Sequence, residues 1–179
     1  MIRPANSDDF SFIYELYMHP ISNPFLLYEP MEKAEFQPIF NDLITQKIKF
    51  IYECDGIAVG MFKLYPLTFR CSHILYLGGL AIHHDYAGKK IGQKMLADIQ
   101  QYAKEKSYLR IELSVSEGNT KAIHLYEKAG FEREGVLRKY AWLKSKNTFW
   151  DEYFFTSGLG PPDQIDRLDI RSCASVSLW

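Results

Sequence analysis

Two stretches decide the reading: Leu77–Gln93, LGGLAIHHDYAGKKIGQ, and Asn119–Phe131, NTKAIHLYEKAGF. The first runs from an apolar β-rich segment through Gly78-Gly79 into a loop holding Gly88, Lys89, Lys90 and Gly92, and then into a helical pattern. Paired glycines inside a strand mark a bulge, or a place where a backbone or ligand comes close. A loop that opens a helix presents unpaired N–H groups and the positive end of the helix dipole, which suit a phosphate. Lys89, Lys90 and Lys94 add charge beside it. In the second stretch Asn119 can cap a helix that Gly130 ends in a left-handed turn.

Around these stretches the elements alternate. Residues 1–4 form a short strand, and Ser7 or Asp8 caps a helix with Phe10, Ile13, Tyr14 and Tyr17 on one stripe, stopped at Pro20. A loop, Pro20–Pro30, leads to a helix with Phe36, Ile39, Phe40 and Leu43 in register, where Pro38 predicts a kink or a restart. Asp55-Gly56 joins two β-rich runs within Phe50–Gly60 as a hairpin. His73–Ile82 is a strand, 89–105 a helix, and Leu109–Val115 a strand with one apolar face. Lys139–Lys144 and Phe149–Phe155 flank a polar turn. The order β-α-α-β-β-β-α-β-α-β-β predicts one α/β domain over residues 1–156, built on a mixed sheet. Residues 157–179, opening with a Gly/Pro-rich linker, read as an irregular tail.

Composition excludes several functions. The chain of 179 residues has a net charge of −1, with 47% apolar and 24% charged residues. Bulk charge points to neither nucleic acid nor an anionic membrane. Three scattered cysteines, Cys54, Cys71 and Cys173, suit neither a disulfide framework nor a zinc site. His19, His83, His84 and His124 lack ligand spacing and read as surface or capping residues, so no metal is expected. No apolar run reaches the ~18 residues of a membrane span, and the N-terminus lacks the order of a signal peptide. The cytoplasm is the expected location. G-x-x-x-x-G-K-[ST] and an early G-x-G-x-x-G are both missing, which sets aside the common nucleotide motifs.

The two stretches together resemble the GNAT superfamily of N-acetyltransferases, which combine a bulged strand, a Q/R-x-x-G-x-G/A loop and a later N-x-x-A-x-x-x-Y-x-x-x-G-F helix. The second motif fits at every position. In the first, aligned on Gly92, Ala87 stands at the Q/R position and Lys90 at the first glycine. A residue other than glycine is acceptable there while its backbone stays in the ordinary helical region. Lys90 then supplies a charge, or else the cofactor site is weakened.

The resemblance implies a mostly antiparallel, twisted sheet with a bulged, splayed central strand and helices on both faces. It implies acetyl-CoA as acyl donor, with Leu80, Ala81 and Ile82 along the thioester arm. Gly88, Lys89, Lys90, Ile91, Gly92 and Gln93 would hold the pyrophosphate, and Asn119 would contact the donor or a bridging water, unless it is a plain helix cap. Tyr126 falls where the family protonates the departing thiolate, although periodicity alone reads it as a core aromatic. The base is open between Glu112 and a water chain. The acceptor is expected at Pro20–Pro30 and the last hairpin, with Tyr28, Glu29, Glu112 and Tyr140 as candidates. A small-molecule amine is the expected partner. A protein N-terminal or lysine acceptor, a non-catalytic CoA-binding protein and a homodimer are left open.

Overall fold

The computed structural model describes residues 1–26 and 28–160. In chain order the elements are β1 (Ile2–Pro4), α1 (Phe10–Met18), α2 (Lys33–Thr45), β2 (Lys49–Cys54), β3 (Ile57–Pro66), β4 (Ile74–Ile82), α3 (Ile91–Glu105), β5 (Arg110–Ser116), α4 (Thr120–Lys128), β6 (Glu132–Leu143) and β7 (Thr148–Gly158). This is the order expected from the sequence. Seven strands form one sheet in the order β1-β2-β3-β4-β5-β7-β6, in which only β4 and β5 run parallel.

Each face of the sheet buries its own helices, which follows from alternation along the strands. Met95, Leu96 and Ile99 of α3 and Tyr126 of α4 pack with Phe62, Leu77, Leu113 and Phe155. Ile13, Leu16 and Tyr17 of α1 and Phe36 and Phe40 of α2 pack on the other face with Ile51, Met61 and Ala81.

Several local expectations change. Asn6, rather than Ser7 or Asp8, caps the first turn, accepting from the Asp8 N–H at 2.8 Å. The Asp9 carboxylate accepts from the Asn6 N–H and is clamped by Arg3 Nη1 and Nη2 at 2.7 and 2.8 Å. Helix α2 runs through Pro38 without the expected restart. The proline removes one N–H from the ladder, while Phe36, Phe40 and Leu43 on the same helix are all buried. The last hairpin is longer than its apolar runs suggest. Strand β7 takes in Ser157 and Gly158, Leu159 is buried, and its N–H donates to Leu109 O at 2.9 Å. The sheet thus includes residues read as the start of a linker, because Gly158 can pair with Arg110 even without a side chain to pack. The rest of the expected tail, and Cys173, lie outside the described residues. No helix among the described residues is long and apolar enough to cross a membrane.

Strands β4 and β5 are joined for three pairs only, Ile74↔Arg110, Leu75↔Ile111 and Tyr76↔Glu112. Beyond them β4 stays with β3 and β5 stays with β7. Between Met61↔Ala81 and Lys63↔Gly78 the strand β4 carries one residue more than β3. Gly79, at φ +54°, takes the turn of this bulge. The sheet therefore opens at its centre into a V whose two inner edges carry unpaired backbone groups.

Candidate active site

A cavity of about 540 Å³ occupies the V. Its walls include Gly78–Ile82 of β4, Ser114–Ser116 of β5, Asn119 just before α4, and Ala122 and Tyr126 from α4. Tyr17, Phe25, Lys63, Tyr65 and Tyr76 close other sides, and Tyr140 and Glu152 reach in from the last hairpin. Of the residues singled out in the sequence, the fold brings together Leu80, Ala81, Ile82, Asn119, Tyr126 and Tyr140.

Tyr126 is buried on α4 against Phe131 and Phe155, at ring distances of 5.9 and 6.3 Å. Burial, and then the neighbouring Tyr76 and Glu152, push its phenol well above the ordinary tyrosine range. It stays protonated at every working pH. Asn119 is a helix cap, its Oδ1 accepting from the Ala122 N–H at 3.2 Å, and it also faces the cavity.

Glu152 lies on the last hairpin, where the acceptor is expected, but is not among the individual candidates that the sequence singles out. It is buried on β7 opposite Ser116, and burial raises its carboxyl above the ordinary glutamate range, with the Ser114 hydroxyl offsetting part of this. No cation among the described residues forms a salt bridge with it. Tyr76 and Ser114 share a 2.8 Å hydrogen bond beside it. Ser116 Oγ is buried without a hydrogen-bond partner among the described residues. An orphaned hydroxyl and an uncompensated carboxylate in one wall are groups that a polar ligand would satisfy.

Glu112, the sequence's candidate base, lines neither this cavity nor its neighbour. It points along the same strand face as Ser114, but Arg110 Nε takes its Oε1 at 2.7 Å and bridges onward to Glu134. A two-residue step along β5 moves a side chain too far from the V to serve it. Tyr28 and Glu29 line a second cavity, of about 480 Å³, with Tyr140, Trp142, Trp150 and Glu152. Glu29 accepts from the Lys144 N–H at 2.9 Å, and Phe25 packs 5.8 Å from Trp150. The loop after α1 is thereby tied to the last hairpin, narrowing the mouth.

The loop Gly88–Gln93 lies at the start of α3, outside the cavity lining. Lys90 precedes the helix with φ +59°, in the left-handed region, and no side chain caps the helix. The condition under which a non-glycine residue is acceptable here, an ordinary helical backbone, is not met at Lys90, and the conformation shows why glycine suits this position. The N–H groups of Ile91, Gly92 and Gln93 open the helix, with Gly88 beside them at φ +76° in open space. At Gly92 a Cβ would fall 2.9 Å from Leu125 Cδ2 and 3.0 Å from Ile82 Cδ1, so glycine lets α3 close on β4 and α4. Lys90→Gly is expected to stabilise the fold by about 1 kcal/mol, since a left-handed non-glycine residue costs ~1–2 kcal/mol and the added chain entropy returns part of it. Thermal unfolding checks this, with an unchanged or lower Tm as the contrary result.

His83 Nδ1 accepts from the Asp85 N–H at 3.4 Å and its Nε2 faces Glu15 at 3.2 Å, while the His83 and His84 rings stack at 4.2 Å. The capping role expected of a histidine here is seen at His83.

The profile of the Acetyltransferase (GNAT) family matches residues 10–131. That span is most of the chain and includes the V, the α3 loop and α4. The chain belongs to the GNAT acetyltransferase family. It is thus an acyltransferase by membership, and its sheet and helices are those of other GNAT proteins. Spermidine N(1)-acetyltransferase of Escherichia coli (strain K12) is 26% identical over 140 residues, 76% of this chain and 74% of that one. The crystal structure of a spermidine N-acetyltransferase from Vibrio cholerae, in complex with CoA and spermine, superposes with a TM-score of 0.76 at 21% identity, over 89% of this chain and 95% of that one. A ribosomal-protein-alanine N-acetyltransferase from Brucella melitensis superposes with a TM-score of 0.70, also at 21% identity, over 89% and 99%. At such identities these GNAT structures establish the shared fold.

Proposed function

We propose that the chain transfers the acetyl group of acetyl-CoA to the primary amine of a small molecule, by direct attack inside the V between β4 and β5. One observation carries this reading: Tyr126, from the α3–α4 side, and Glu152, in the wall shared with the α1-loop cavity, meet in a single cavity.

The residues present suit the donor. Pantetheine is a chain of amides, and the edges of Leu77–Ile82 and Leu113–Ser116 offer backbone groups that no strand partner takes. Leu80, Ala81 and Ile82 would run beside it. The uncapped start of α3, from Gly88 through Lys89, Lys90, Ile91 and Gly92 to Gln93, would hold the pyrophosphate on its free N–H groups. Asn119 would support the arm while capping α4.

The chemistry then divides between two side chains. Glu152 takes the proton that the ammonium must lose before its nitrogen attacks the thioester carbonyl. Its raised affinity for a proton makes it a better base than an exposed glutamate. A backbone N–H of the bulge steadies the oxyanion. As the C–S bond breaks and the amide forms, Tyr126 gives its phenolic proton to the thiolate. Holding amine and thioester together supplies much of the rate.

A small acceptor is favoured over a protein segment because Phe25–Trp150 and Glu29–Lys144 draw the mouth together. Relatives named for spermidine accord with a small amine. Acetyl-CoA at a hundred times its Kd is expected to add about 2.7 kcal/mol of stability and raise Tm by roughly 5–10 °C. A flat melting temperature at millimolar acetyl-CoA would refute the donor site.

A further inference from the structure

Strands β2 and β3 bury two lysines side by side. Lys49 pairs with Lys63 in the register, and they are 1% and 7% exposed. Lys49 Nζ donates to Tyr17 Oη at 3.1 Å and sits 4.6 Å from that ring's centre. Lys63 Nζ lies 5.3 Å from the centre of the Tyr28 ring and 5.5 Å from that of Tyr65. No carboxylate among the described residues forms a salt bridge with either. Burying a cation without a counterion is strongly unfavourable, and aromatic faces recover only part of the loss. Burial, and then Lys63 beside it, hold Lys49 below the ordinary lysine range.

Lys63 alone of the two reaches the cavity. Its path depends on the bulge: a Cβ on Gly79 would fall 3.0 Å from Lys63 Cε and 3.1 Å from Tyr17 Oη. Among the described residues that line the cavity, the charged side chains are two, Lys63 and Glu152. One carries each sign. The remaining lining is aromatic or apolar, apart from backbone, hydroxyls and Asn119.

We propose that the acceptor is a primary amine that also carries a carboxylate, an amino-acid-like zwitterion with its carboxylate on Lys63 and its amine toward Glu152. The inference rests on reading this cavity as the acceptor side of an acetyltransferase. Tyr17 Oη, fixed by Lys49, supplies a second donor beside the Lys63 stem. A polyamine brings only positive charge and meets the Lys63 ammonium with repulsion, so the lysine selects against it as well as for the acid. The aromatic walls suit an apolar body between the two charged ends.

The test compares phenylalanine with phenethylamine, leucine with isoamylamine, and both pairs with spermidine, by CoA release from the full chain with acetyl-CoA. Each acid is expected to exceed its decarboxylated partner at least tenfold in kcat/KM, with spermidine below both. Lys63→Met is expected to cut that preference at least tenfold, and Lys63→Arg to keep most of it. A wild-type preference for the decarboxylated amines or spermidine overturns the proposal, as does a preference that Lys63→Met leaves intact. Binding separates this from catalysis. N-acetylphenylalanine should raise the melting temperature and N-acetylphenethylamine should not, with the difference lost in Lys63→Met. That pattern without turnover of any amine keeps the carboxylate site and refutes acetyl transfer. Equal effects of the two amides, or none from either, overturn the carboxylate site even where turnover is seen. Should Lys63→Met not fold, the wild-type pair decides alone.

Discussion

Tyr126→Phe is expected to lower kcat by about 10²–10⁴-fold, the range typical of a lost general acid, with little change in KM for acetyl-CoA. The phenol is the one proton donor that α4 presents to the cavity, and the ring otherwise packs on Phe131 and Phe155. Phenylalanine keeps that packing, so the melting temperature should stay near that of the wild type. Because burial raises the phenol's pKa, Tyr126 does not titrate near neutrality. The wild-type rate should therefore show no alkaline loss from this group within the ordinary working range. If the variant keeps full turnover and its fold, Tyr126 is a core aromatic and the acid lies elsewhere.

Glu152→Gln should produce two opposed effects. Turnover falls, by about 10²-fold or more at neutral pH, since the base is gone. Stability rises, and the sign follows from linkage. The folded carboxyl has a raised pKa, so the folded state binds the proton more tightly than the unfolded state does. Above the folded pKa the buried charge destabilises the protein. As pH falls through the folded pKa towards the unfolded value, that penalty disappears. Glutamine carries no such charge, so the variant's Tm should exceed the wild type's at pH 7–8, and the gap should close in acid. A variant less stable than the wild type at neutral pH would mean that the carboxylate is compensated by a partner, and the assignment as a free base would fail.

The element order was legible because most segments obey one period and end in unambiguous turns: Asp55-Gly56, Asn119 and Gly130 all sit where their chemistry places them. Gly78-Gly79 announced the bulge that opens the V. What could not be read was register. Counting back from the Asp55-Gly56 turn would set Lys49 opposite Phe62. An irregularity between Tyr52 and Glu53 moves the pairing by one residue and sets Lys49 opposite Lys63 instead. The acceptor hairpin was legible, but not which of its carboxylates turns inward, since either acid in the run WDE reads equally well as solvated while Glu152 is the buried one. Of the two bases left open by the sequence, Glu112 shares a face with Ser114, but periodicity does not say which neighbour takes the side chain, and Arg110 takes it. Lys90 shows a third limit: its left-handed backbone cannot be read from residue type, since lysine seldom adopts that conformation.

Direct transfer requires donor and acceptor to occupy one cavity at the same time. Initial rates of CoA release, measured over a grid of acetyl-CoA and phenylalanine concentrations with the N-acetylated product identified by mass spectrometry, test this directly. Amine-dependent release with reciprocal plots that intersect is expected, as a ternary complex requires. Parallel plots, which signal an acetylated enzyme, or no amine-dependent release with phenylalanine, the other amines above or peptides, would contradict it.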